Sequence, residues 1–229
     1  MSDVRWMLRV LTQAGVRIKG VEELAALMLT HFPPAAAASA AGGQEGGEDG
    51  GAMVLPEGVF AAKKAWMHAV YKVAKNGKLP AWESSYTRFN KGEHPQAIAV
   101  DQESGKAIQS STVVGHILEA LLHARPVDLR RLVETSGALL PTELEWQRLE
   151  EAVLGLGLDV EKTAMVSQKD IMLAASGRAD KAPDSKTAED RAAEAVWYDR
   201  VRWFLFLKRA GVPVRFRGGD AGPGKRQRV

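Results

Sequence analysis

Three times in its second half the chain repeats the same instruction for starting an α-helix. Thr142-x-x-Glu145, Ser167-x-x-Asp170 and Thr187-x-x-Asp190 each place a hydroxyl three residues ahead of a carboxylate. The hydroxyl oxygen can accept a hydrogen bond from an orphan amide of the first turn, and the carboxylate can reach back to the cap amide. Trp146, Leu149, Val153 and Leu156 follow the first signal at helical spacing. The second segment stops near Gly177, and the third runs to Gly211 with Pro213 just beyond. Glycine closes a helix readily and proline cannot continue one. Strand signals are sparse: Val212 to Phe216 reads as a short β piece that Pro213 confines to a sheet edge. The expected fold class is all-α.

Upstream, Val59, Ala62, Trp66, Ala69, Val70 and Val73 fall on one face of a helical wheel, with Asn76-Gly77 as its closing pair. Before that, the stretch from Pro33 to Pro56 carries an alanine run and then Gly42-Gly43-Gln44-Glu45-Gly46-Gly47. Such a composition buries too little to offset the entropy of ordering and reads as a flexible linker. The expected organisation is a helical segment over 1–32, a linker over 33–57, a helical region over 58–138, a second over 139–216, and a disordered basic tail over 217–229. A softer polar zone lies between Gly177 and Thr187. Val4-Arg5-Trp6-Met7-Leu8 and Val201-Arg202-Trp203-Phe204-Leu205 echo one another. Similar capping needs in two helices explain the echo, and a degenerate duplicated unit is the alternative.

Composition removes several function classes. The chain has no cysteine, which excludes disulfides, cysteine nucleophiles and thiolate metal centres. No apolar run approaches the ~20 residues of a membrane span. Met1-Ser2-Asp3-Val4-Arg5-Trp6 lacks the order of a secretory signal, so an intracellular location with no membrane partner is expected. The formal charge is only +3, but its distribution is uneven. Between Val59 and Glu134 eleven Lys and Arg stand against seven Asp and Glu. That concentration suits a nucleic-acid partner.

The segment from Pro80 to Val133 reads as three short helices. The first covers Ala81 to Asn90 with Trp82, Tyr86 and Phe89 inward, and Lys91-Gly92 ends it. The second starts at His94-Pro95, where proline suits the first helical position. The third starts at Ser110 or Ser111, either of which could cap it, and reaches about His123. Val113, Val114, Ile117, Leu118, Leu121 and Leu122 make its inward stripe, leaving Ser111, Thr112, Gly115, His116 and Glu119 outward. A major groove admits one α-helix, braced by the helix before it.

The run Tyr86-Thr87-Arg88-Phe89-x-x-Gly92, then Ile98-Ala99, then Ser111-Thr112-Val113-x-x-His116-Ile117, resembles the helix-turn-helix near the C-terminus of some RecQ-family DNA helicases. The stretch from Leu140 to Gly177 is similar to the helical extension that often follows it. The resemblance covers about Trp82 to Gly177 and implies a non-catalytic DNA-binding module. Duplex or forked DNA would be its partner, with a role accessory to repair or replication, a nuclear or nucleoid location, and a larger helicase or nuclease subunit as a possible companion. Lys106, Gln109, Ser111, Thr112, Gly115 and His116 would lie nearest the DNA. The rival reading is a helical adaptor that holds a protein through its Trp-rich helices, where Trp197, Tyr198, Trp203, Phe204 and Phe206 cluster.

Other signals carry less. Gly219-x-x-x-x-Gly224-Lys225 approaches a phosphate-binding loop, but Arg226 stands where Ser or Thr must hold magnesium. No cofactor follows from it, and no helicase motor. His116 and His123 are seven apart, too far for a zinc pair on one helix, so no metal site is expected and His123 reads as a helix-end cation. Glu22-Glu23 and Glu150-Glu151 read as solvated surface, and Lys225-Arg226-Gln227-Arg228 as a solubilising or phosphate-touching tail. No catalytic constellation is visible.

Overall fold

The computed structural model describes residues 51–217, apart from 74–76, 78 and 103–104. The expectations for residues 1–50 and for the tail beyond 217 lie outside the described residues. Within them the chain is mostly helical, with seven α-helices and two small two-stranded sheets. Helix α1 spans Ala81–Asn90, α2 Pro95–Val100, α3 Ser110–Leu122, α4 Leu129–Ser136, α5 Glu143–Gly155, α6 Gln168–Ser176 and α7 Ala188–Ala210. Strand β1 (Met53–Val54) pairs antiparallel with β4 (Arg215–Phe216), and β2 (Val59–Phe60) with β3 (Val127–Asp128).

The capping signals act where the sequence places them. At α5 and α7 both reciprocal bonds of a capping box form, Thr142 with Glu145 and Thr187 with Asp190. Ser167 accepts from the amide of Asp170 at α6. Gly177 and Gly211 close α6 and α7 in the left-handed conformation, at φ 65° and 66°. Lys181 bonds the capping carboxylate of Asp190, and with the Thr187 amide holds its pKa down to about 2. The polar zone before α7 is thereby tied to the helix start, and Pro183–Ser185 forms a 3-10 turn within it.

Three expectations change. The stretch from Val59 to Val73 is not a helix: after β2 it runs as turns and irregular chain. Its apolar spacing serves tertiary contacts instead. The Trp66 amide donates to the carbonyl of Leu122 at 2.7 Å, and the Trp66 indole N–H to that of Glu161 at 2.5 Å. The last residues of the expected linker are also part of the fold. Met53 and Val54 pair with β4, the Gly51 carbonyl accepts from the Glu143 amide, and Leu55 is buried. Helix α4 was not anticipated as a separate element, although Asp128 caps it by accepting from the Arg131 amide and Gly137 ends it at φ 65°.

One hydrophobic core runs through the described residues from Leu55 to Val212, crossing the expected boundary at 138. Helix α3 lies at its centre, packed against α1, α2, α4 and α7. Helix α7 packs on α3, α5 and α6, with Trp203 and Phe204 buried and Phe204 edge-on to Trp146 at 4.8 Å. Its aromatic residues wrap around the helix because it is covered on several sides. No helix among the described residues is long and apolar enough to cross a membrane.

Candidate nucleic-acid interface

Helices α1 and α2 both pack on α3, and a connection over 101–109 leads from α2 into α3. Pro95 opens α2 at its first position, as the sequence requires. Arg88 of α1 fixes the mouth of the connection: its guanidinium binds Glu93 at 2.5 Å and also the backbone and carboxylate of Asp101. Arg131 of α4 donates to the Phe89 carbonyl at 2.8 Å and lies 4.3 Å from the centre of the Phe89 ring. The Ile108 amide donates to the Ala99 carbonyl at 2.8 Å, so the connection folds back onto α2 before α3 begins.

The six residues expected nearest DNA separate into two groups. Lys106, in the connection, and Gln109 and Thr112, at the start of α3, are exposed. Ser111, Gly115 and His116 are half-buried. The capping position is Gln109, and neither Ser110 nor Ser111 caps the helix. The Ser111 carbonyl accepts from the Arg202 guanidinium of α7 at 3.1 Å, and that guanidinium also binds Asp199 at 2.8 Å. A cleft of about 250 Å³ lies beside this junction, lined by Ser110, Ser111, Asp199, Arg202 and Trp203 among others.

His116 does not face outward as expected. Its Nδ1 shares a hydrogen bond of 3.0 Å with Ser85 Oγ of α1, and burial lowers its pKa. Ser85 is itself buried, so the pair closes a polar gap inside the α1–α3 contact. His123 stands at the end of α3 as its capping residue, but its surroundings disfavour the cationic form. Its ring stacks on Trp82 at 4.5 Å, and burial, with the charge of Arg125, lowers its pKa against a smaller opposing effect of Glu83. The stripe left open on α3 is therefore narrower than the sequence implies: Thr112, Gly115 and Glu119. A methyl at Gly115 would meet no other part of the protein within 4 Å, so the fold does not require glycine there. Half-burial raises the pKa of Glu119.

At the start of α3 an amide side chain and a hydroxyl, those of Gln109 and Thr112, are exposed, Lys106 is exposed in the connection that precedes them, and the first turn holds no acidic residue. Backbone amides there point outward along the helix axis, with the positive end of the helix dipole behind them. This arrangement can bind phosphate oxygens. Among the described residues no cluster of metal-ligating side chains forms. The role of Arg202, which braces the Ser111 carbonyl from ninety-one residues away, carries no sequence signal that could have revealed it. No family model, curated protein or solved structure matches the chain.

Proposed function

We propose that the chain is a non-catalytic DNA-binding module of helix-turn-helix type, in which α2 braces α3 and the first turn of α3 meets the phosphate backbone. The observation that carries this reading is the acid-free first turn of α3, where Gln109 and Thr112 are exposed, with Lys106 exposed in the connection just before it. The packing of α1 and α2 on α3 supports it, as does the excess of basic residues between Val59 and Glu134. The contact is made with the N-terminal end of α3, since His116 is engaged by α1 and the inward stripe is fully used by the core. On the open stripe Thr112 is the side chain that can reach a base edge, and Gly115 allows close approach. Backbone contacts that fix position without reading sequence dominate such an interface.

For the adaptor reading, Trp203 and Phe204 of the Trp-rich helix are buried in the core, while Trp197, Tyr198 and Phe206 are half-buried. A titration of the protein against duplex, forked and single-stranded DNA at several salt concentrations tests the proposal. Duplex or forked DNA should bind with an affinity that falls steeply with salt. Absence of binding to all three at low salt would overturn it.

A further inference from the structure

We propose that residues 61–73 form a second, separate docking surface, for an acidic amphipathic peptide segment of a protein partner. The stretch leaves large aliphatic groups in solvent: Met67 is 70% exposed, Val70 62% and Val73 50%. Lys63, Lys64 and Lys72 are exposed in the same stretch, which has no Asp or Glu of its own from Val59 to Val73, and Glu83 of α1 is engaged by the Tyr71 hydroxyl. Scattered single apolar residues on a surface need no explanation, but exposed apolar groups gathered in one stretch and rimmed by polar residues point to an interaction site.

The surface is held in place before any partner arrives. Trp66 is tied by its amide to Leu122 and by its indole to Glu161, and Arg209 lies 4.4 Å from its ring centre. His68 bonds the Lys162 carbonyl at 2.8 Å, and the Tyr71 ring meets Trp82 and His123 edge-on. Of these anchors Trp66 is half-buried, while His68 and Tyr71 are held by their contacts and stay partly in solvent. A prefixed backbone reduces the entropy lost on binding.

The chemistry of the exposed groups selects the occupant. Nucleobases bind by stacking on open aromatic faces, whereas Trp66 is half-buried and tied by its indole, and Tyr71 is held through its hydroxyl by Glu83 and met edge-on by Trp82 and His123. The most exposed large groups are the aliphatic Met67 and Val70. Membrane attachment favours a helix with bulky apolar residues on one face, and this stretch is not helical. Aliphatic groups and lysines complement an amphipathic helical segment with leucine-like side chains on one face and carboxylates beside them, with the flexible Met67 adapting to its shape. The surface touches the end of α3 at Leu122, some 18 Å along the helix from its first turn. It does not depend on the DNA reading.

The test uses the full chain and a fluorescent synthetic peptide with leucines at helical i, i+3, i+4 spacing and glutamates between. The expected result is saturable binding, weakened at least tenfold when glutamine replaces the glutamates or serine the leucines. The variants Met67→Ser/Val70→Ser and Lys63→Gln/Lys64→Gln/Lys72→Gln should each weaken it at least fivefold, with unchanged circular dichroism because all five positions are exposed. Binding of the peptide that is indifferent to both variants would overturn the proposal, as would absence of binding. A loss of binding to phosphatidylserine vesicles or to a single-stranded oligothymidylate in the same variants, without peptide binding, would assign the surface to a lipid or nucleic acid and would also overturn it.

Discussion

The buried hydroxyl of Ser85 and the ring of His116 sit 3.0 Å apart across the α1–α3 contact, with core side chains around them. A neutral imidazole can share a hydrogen bond there, but an imidazolium would be poorly solvated. His123, stacked on Trp82 beside Arg125, is under the same pressure. Both pKa values are lowered from the ordinary histidine value. The unfolded chain therefore takes up protons first as pH falls. Stability is full above the unfolded histidine pKa, near ~6.5, and is lost as pH drops through the folded values. Denaturation midpoints measured from pH 8 to 5 should fall on the acid side. His116→Gln keeps a hydrogen-bonding group and removes the titration, so its acid limb should be shallower; an unchanged limb would contradict the assignment.

Glu119 works in the opposite sense. Its pKa is raised by burial, so the folded state holds its proton to higher pH than the unfolded state does. Stability from this group is present at low pH and declines as pH rises through the folded value. Glu119→Gln should therefore stabilise the protein at neutral pH, by up to ~1 kcal/mol for a partly buried site. Urea denaturation at pH 7 and pH 4 tests this, with the difference between variant and parent expected only at pH 7.

Gly115 separates folding from binding. Alanine fits there without a clash and improves helix propensity, so Gly115→Ala should raise stability by roughly 0.5–1 kcal/mol. If the open stripe of α3 approaches DNA, the same methyl should weaken binding several-fold. A variant that is both more stable and undiminished in DNA affinity would move the interface away from this stripe.

Lys106→Ala should weaken binding to all DNA sequences alike and lower the salt slope by roughly one unit, as for the loss of one phosphate contact. His116→Ala should leave the slope unchanged and reduce thermal stability, because its ring serves the α1–α3 contact. Parallel salt titrations and melting curves distinguish the two outcomes.

Trp203 is 1% exposed and Leu55 6%, one inside the long last helix and the other beside β1. Trp203→Ala should cost about 3–5 kcal/mol and Leu55→Ala about 2–5 kcal/mol. Met165→Ala, at an exposed position, should stay within about 0.5 kcal/mol of the parent. A neutral Leu55→Ala would restore the reading of that stretch as a free linker; chemical denaturation decides it.

The helix starts and stops were determined by the sequence itself, because capping and helical periodicity act between residues three or four apart. Thr142 and Glu145, Ser167 and Asp170, and Thr187 and Asp190 meet whatever surrounds them. The inward stripe of α3 followed from the same spacing. Only the tertiary structure decided what covers the other sides. Whether His116 faces solvent depends on Ser85, thirty-one residues earlier, and whether Met53 and Val54 are strand depends on Arg215 and Phe216 at the far end of the fold. The stretch from Val59 to Val73 has the apolar spacing of a helix, yet Trp66 is drawn to Leu122, Glu161 and Arg209. Local propensity is worth a few tenths of a kcal/mol per residue, and burying one large aromatic outweighs it.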